Sequence, residues 1–163
     1  MKLLAGAYDS TLDSKGRFQL PTVFLQEFIP TETEVRFVIN RSSEKCLTLF
    51  PMNIWNVYVE RLGKINTFDP KNRRAVRYFM GDATEVKLDS KNRLLIPKTL
   101  QEYASLEKDL RLVSLPTFIE IWNPELYKET FDKFVVNEED TIREVANFVF
   151  NDGKFFEDIP DIP

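Results

Sequence analysis

A six-residue segment occurs twice in this chain, with five of its six positions identical. Leu12-Asp13-Ser14-Lys15-Gly16-Arg17 returns 76 positions later as Leu88-Asp89-Ser90-Lys91-Asn92-Arg93. Four residues beyond each Arg stands a proline, Pro21 or Pro97, and an apolar helical pattern follows it. A duplication at matched flanks constrains the fold more than any composition does. It calls for two equivalent halves, each built around the same turn. A period this long exceeds a solenoid repeat, so a pseudo-two-fold pair is expected.

The 163 residues suffice for one compact domain or two small ones. With 43% hydrophobic residues and 14 Phe, the chain has material for a real core. No apolar run approaches the ~20 residues of a membrane helix. The start, Met1 to Gly6, is too short for a secretory hydrophobic region. The single Cys46 has no internal disulfide partner, which fits a reducing compartment. Asn40-Arg41-Ser42 matches a glycosylation sequon that has meaning only on secretion. There is no His, which removes His–zinc sites and His-dependent nucleophile pairs. No Gly-rich phosphate loop, nucleophile–base pair or metal-ligand spacing is present, so no cofactor, no metal and no catalytic function are expected.

Net charge is −4, which by itself argues against nucleic acid. Its distribution argues the other way. Residues 1–100 hold 16 Lys+Arg and 11 Asp+Glu, whereas residues 101–163 hold 6 and 15. Screening over roughly 10 Å lets a local basic loop dominate its own neighbourhood.

Each half reads as strand, turn, strand, helix, then a second strand pair and a further helix. Ala7 to Leu12 and Arg17 to Leu20 flank the first turn as a hairpin. Pro21 opens a helix over Thr22 to Ile29, which Pro30 and Thr31 to Glu34 stop. Val35 to Ile39 and Leu47 to Phe50 form a hairpin, and Pro51 starts a helix with Ile54, Tyr58 and Leu62 on one face. Asp69-Pro70 caps a helix carrying Lys71, Arg73, Arg74 and Arg77, ended by Gly81. In the second half, Val86 to Leu88 and Arg93 to Ile96 flank the turn, and Leu100, Tyr103 and Ala104 mark the helix after Pro97. Leu110 to Leu115 and Phe118 to Trp122 form a hairpin. Asn123-Pro124 caps a helix with Tyr127, Phe131 and Phe134. Thr141 to Glu144 reads as a capping box leading Ile142, Val145, Ala146 and Val149 along one face. Phe148, Phe155 and Phe156 read as core or interface. The expected organisation is residues 1–80, residues 81–150 and an acidic tail over 151–163. The fold class is α+β: two tandem β-hairpin-plus-helix repeats related by a pseudo-two-fold, forming a small β-barrel-like core with flanking helices.

Gly16 supplies the positive φ of a tight turn, and Asn92 is the next most tolerant residue for it. A turn needs Gly or Asn. It has no need to keep Lys and Arg both times, so Lys15, Arg17, Lys91 and Arg93 are the candidate phosphate or base contacts. Asp13 and Asp89 are expected to orient the Arg or satisfy turn amides. The run Lys71, Arg73, Arg74, Arg77 reads as phosphate contacts or as ion pairs with the acidic half, within the chain or between subunits. The ion pairs are slightly favoured.

Gly6-Ala7-Tyr8 with Leu12 to Arg17 and Pro21 resembles the N-terminal signature of the bacterial MraZ family. Ala83 to Val86 with Leu88 to Arg93 and Ile96-Pro97 resembles its second copy, and Asp69-Pro70 with Arg74 and Arg77 its linking helix. Either motif alone would suggest only the wider AbrB/MazE (AbrB/SpoVT-like) swapped-hairpin class. The resemblance implies a cytoplasmic, nucleoid-associated transcriptional regulator. It implies double-stranded DNA as partner, bound at promoter direct repeats upstream of the family's own division and cell-wall genes. It also implies a homo-oligomer, a closed ring, with Lys15, Arg17, Lys91 and Arg93 facing DNA. Asn92 departs from the family's usual Gly. The alternative is an antitoxin-like protein-binding module acting through the acidic tail.

Overall fold

The computed structural model describes residues 6–28 and 35–150. The expected helix stop at Pro30 to Glu34, and the tail with Phe155 and Phe156, lie outside them. Two compact units are present, residues 1–126 and 127–163.

In the first unit the strands are β1 (Gly6–Thr11), β2 (Arg17–Gln19), β3 (Arg36–Arg41), β4 (Leu47–Pro51), β5 (Thr84–Lys87), β6 (Arg93–Leu95), β7 (Asp109–Ser114) and β8 (Ile119–Trp122). The helices are α1 (Thr22–Phe28), α2 (Met52–Leu62), α3 (Pro70–Met80) and α4 (Lys98–Tyr103). Six strands form one antiparallel sheet in the order β1-β7-β8-β4-β3-β5, and β2 pairs with β6 in a separate ribbon. The order is palindromic about the β4–β8 pair. It exchanges β1 with β5 and β7 with β3, which is the expected pseudo-two-fold.

The hairpins expected around the repeated turns do not form as local pairs. β1 leaves the turn to pair with β7, and β5 leaves its turn to pair with β3. Only an isolated bridge, Leu12 to Phe18, remains of the first local pairing. The short strands after the turns pair with each other instead: Arg17 opposite Leu95, Phe18 opposite Leu94, Gln19 opposite Arg93. Phe18 and Leu94 are equivalent positions of the two copies, so the pseudo-dyad passes between them. Nor is the sheet closed into a barrel. Among the described residues β1 and β5 are its outermost strands; closure would need those two to pair, and the chain uses β2 and β6 as a lid instead.

The lid is what completes the core. Phe18 and Leu94 point inward from the ribbon and are 1% and 0% exposed. Below them lie Phe37, Ile39, Leu47 and Leu49 of one half and Leu110, Leu112, Ile119 and Ile121 of the other. Phe24 of α1 and Leu100 of α4 fill the flanks. β3 and β4 are buried on both faces. Their second face carries Val38 and Phe50, which pack with Trp55 of α2 and Met80 at the end of α3. Asn40 is buried there and satisfied. Its amide nitrogen donates to the Phe79 carbonyl and its oxygen accepts the Arg41 amide. Asp69 caps α3 as expected, its carboxylate accepting the Lys71 amide at 2.7 Å.

The second unit comprises most of α5 (Pro124–Asn137) and all of α6 (Glu139–Phe150). Asn123 caps α5, its side-chain oxygen accepting the amides of Glu125 and Leu126 at 2.9 and 3.1 Å. Thr141 does not cap α6, which already begins at Glu139. Its hydroxyl donates to Glu138 instead, at 3.0 Å. Phe148 is not core: it is 77% exposed, with Val136, Val145 and Phe131 also open.

Truncation of the central lid residue, Phe18→Ala, should destabilise the protein by about 3–5 kcal/mol in urea unfolding, because a fully enclosed ring is removed. Cys46 is fully buried, and burial pushes its thiol up to about 12. Maleimide should therefore label Cys46 only at denaturant concentrations that unfold the chain.

Candidate nucleic-acid interface

Each repeated turn is organised around its aspartate. Asp13 Oδ1 accepts the backbone amides of Lys15 and Arg17, both at 2.9 Å. Its Oδ2 accepts Arg17 Nε at 2.9 Å and Nη2 at 2.8 Å. Asp89 repeats this atom for atom, with Lys91 and Arg93 amides on Oδ1 at 2.9 Å and Arg93 Nε and Nη2 on Oδ2 at 2.8 and 2.7 Å. Both carboxylates have their lone pairs filled by donors that favour the charged form. Their carboxyls are held at about 2, against an ordinary 3.8. For Asp13 the Arg17 amide contributes most and its guanidinium next; for Asp89 the Arg93 guanidinium leads.

The positive φ values fall where expected, at Gly16 (+77°) and Asn92 (+57°). Asn92 does not alter the path of its loop. The Asp89 amide bonds the Arg93 carbonyl at 3.0 Å, and the Asn92 amide bonds the Asp89 carbonyl at 3.0 Å. The first loop makes the same two bonds at 2.8 and 2.9 Å. The loops are then fastened to each other. The Leu20 amide donates to the Asn92 carbonyl at 3.0 Å, and the equivalent Ile96 amide donates to the Gly16 carbonyl at 2.9 Å. Arg93 Nη1 also lies 3.8 Å from Asp13 of the other copy. The two motifs are therefore one structure, not two separate tips.

The four candidate residues fall into two kinds. Lys15 and Lys91 are exposed. Arg17 and Arg93 are half-buried, 29% and 26% exposed, each gripped along its Nε–Nη2 edge. On each loop the Lys is open to solvent and the Arg is held. Each Arg is held by its own Asp through two donors, Nε and Nη2, on the single oxygen Oδ2, which leaves Nη1 outside that grip and restrains the guanidinium plane. The outer face of the ribbon adds Gln19 and Leu95, both exposed and aligned with Arg17 and Arg93 at strand spacing. Sequence reading missed them. Their alternation with the buried Phe18 and Leu94 was the available signal.

Because both carboxyls are depressed, their contribution is present above the unfolded value near 4 and is lost as pH falls through about 2. Asp13→Asn places an amide donor against the Arg17 guanidinium and should lower the melting temperature at pH 7. The difference from wild type should shrink between pH 4 and 2, as followed by circular dichroism melts.

Comparison with known proteins agrees with this twofold plan. The family described as "MraZ protein, putative antitoxin-like" matches twice, over residues 3–78 and 79–148. A relative from Flavobacterium psychrophilum, named Transcriptional regulator MraZ, is 35% identical over 153 residues, covering 93% of this chain and 97% of that protein. Proteins of the same name from Christiangramia forsetii and Pediococcus pentosaceus are 36% and 30% identical, covering 79% and 90% of this chain and 83% and 99% of their own. With the tandem match spanning nearly the whole sequence, the chain belongs to the MraZ family.

Proposed function

We propose that this protein is a sequence-specific DNA-binding transcriptional regulator whose contact residues are Lys15, Arg17, Lys91 and Arg93. The observation that carries it is the fastening of two basic turns side by side, with both guanidiniums pre-oriented by carboxylates. A two-stranded ribbon fits the major groove, about 12 Å wide. Arg17 and Arg93 present fixed donors to base edges, and Lys15 and Lys91 neutralise phosphates. Among the described residues no helix is long and apolar enough to cross a membrane.

Several copies act together in a closed homo-oligomer, and each reads one short direct repeat upstream of the protein's own division and cell-wall gene cluster. Multivalency turns weak single contacts into useful affinity. The large apolar side chains exposed on α5 and α6, Phe131, Val136, Val145 and Phe148 among them, support assembly. The relatives carry the name of transcriptional regulators, which supports a cytoplasmic, nucleoid-associated role. The words "putative antitoxin-like" in the family description favour a second reading, an antitoxin-like module that binds a protein partner; the acidic residues 151–163, beyond the matched repeats, would be its binding segment. If deleting that segment removes a co-purifying partner while DNA binding stays intact, the second reading is supported.

Lys15→Gln with Lys91→Gln tests the first reading without disturbing the fold, because both lysines are exposed. Affinity for the DNA upstream of the operon should fall roughly tenfold or more, and the salt dependence should flatten by about 0.9 for each phosphate no longer neutralised. Unchanged affinity would remove the loops from the interface. Arg17→Ala is expected to weaken both binding and thermal stability, since it strips Asp13 of its two guanidinium donors.

A further inference from the structure

Helix α3 differs in charge from every other long helix of the chain. On α2, Lys64 just past the C-terminus pairs with Glu60; on α5, Lys128 pairs with Asp132 and Lys133 with Glu129; on α6, Arg143 pairs with Glu139 and Asp140. α3 contains no Asp or Glu. Its Lys71, Arg73, Arg74 and Arg77 are all exposed. Among the described residues none of them forms an ion pair. Lys71 with Arg74, Arg73 with Arg77 and Arg74 with Arg77 stand three or four apart, where like charges repel along a helix. The helix forms despite this because its other side is anchored. The Tyr78 hydroxyl donates to the Ser42 carbonyl at 2.7 Å, Asn40 binds the Phe79 carbonyl, and Met80 packs on the second core.

We propose that this cationic face of α3 is a second, sequence-independent phosphate-binding surface, taking the backbone of DNA that flanks the segment held by the paired loops. The inference rests on the DNA-binding reading and adds to it a site outside the repeated motif. Two observations favour DNA over another protein. The exposed positions of α3 are Pro70, Lys71, Arg73, Arg74, Ala75 and Arg77, with no large apolar residue among them to centre a protein interface; the exposed Phe68 precedes the helix. On the acidic helices Glu129, Asp132, Glu139 and Asp140 already have cations of their own, which leaves a second copy only Glu125, Glu138 and Glu144 on or between those helices, among the described residues, to set against the four cations of α3. Guanidinium forks matched to phosphate oxygens, each displacing condensed counterions, suit the face.

The test is Arg73→Gln, Arg74→Gln and Arg77→Gln together in the full chain, measured on the operon-upstream fragment and on a shuffled fragment across a salt series. Affinity should fall by the same factor on both fragments. The slope of log affinity against log salt should flatten by about 0.9 per phosphate, about 2 to 3 in all, with the preference between fragments unchanged. Lysine at the three positions should restore the slope. If the triple variant fails to fold, the single Arg74→Gln should flatten the slope by about 0.9. An unchanged slope overturns the proposal. So does dissociation of the oligomer in sedimentation with DNA contacts intact, which would give α3 to a neighbouring subunit. If wild type fails to prefer the upstream fragment, the loop reading fails, and the slope on the shuffled fragment still decides the role of α3.

Discussion

The pairing of β2 with β6 is the interaction on which the molecule depends. Three residues from each repeat meet across the pseudo-dyad, with Phe18 and Leu94 at the centre and the Leu20 and Ile96 amides closing on the opposite loop. Without it the six-stranded sheet would expose one apolar face, and each Asp–Arg turn would end in an unpaired strand. A short ribbon is marginal in water by itself. Here it is stabilised by the core it covers. Neither repeat can bury its own strand after the turn, so the two halves must form together, through contacts far apart in sequence.

Electrostatics is arranged around the same junction. The aspartates do what backbone geometry would otherwise leave undone: each gathers two turn amides and one guanidinium on a single carboxylate. That arrangement spares the Arg much of the rotamer entropy that binding surfaces normally give up when they engage a partner. It also explains why Asp and Arg recur together in both copies while Gly16 can be Asn92. The left-handed φ tolerates either residue, but the carboxylate has no substitute.

Much of this was legible in the sequence. Asp69-Pro70, Asn123-Pro124, Gly16 and Asn92 each announce their local backbone through elementary sterics or capping chemistry, and the structure follows them. The duplication foretold the pseudo-two-fold. What local patterns could not carry was the partner of each strand. Residues 7–12 and 17–20 have the alternation of a hairpin, and alternation is blind to whether the strand opposite is near or far along the chain. The half-buried state of Arg17 and Arg93 was hidden for the same reason, because a side chain's neighbours come from tertiary packing. Thr141 misled because Glu138, one turn earlier, already accepts the first backbone bond of α6.

The ribbon's outer face has a direction. In a symmetric dimer of single repeats, its two strands would be identical and the surface would look the same after half a turn. Joining the copies in one chain removes that obligation. Gln19 stands opposite Arg93, whereas Arg17 stands opposite Leu95, so an amide occupies one end and an aliphatic side chain the other. The backbone keeps its dyad while the surface does not. A molecule that docks on this face meets a head and a tail, so its two orientations are no longer equivalent.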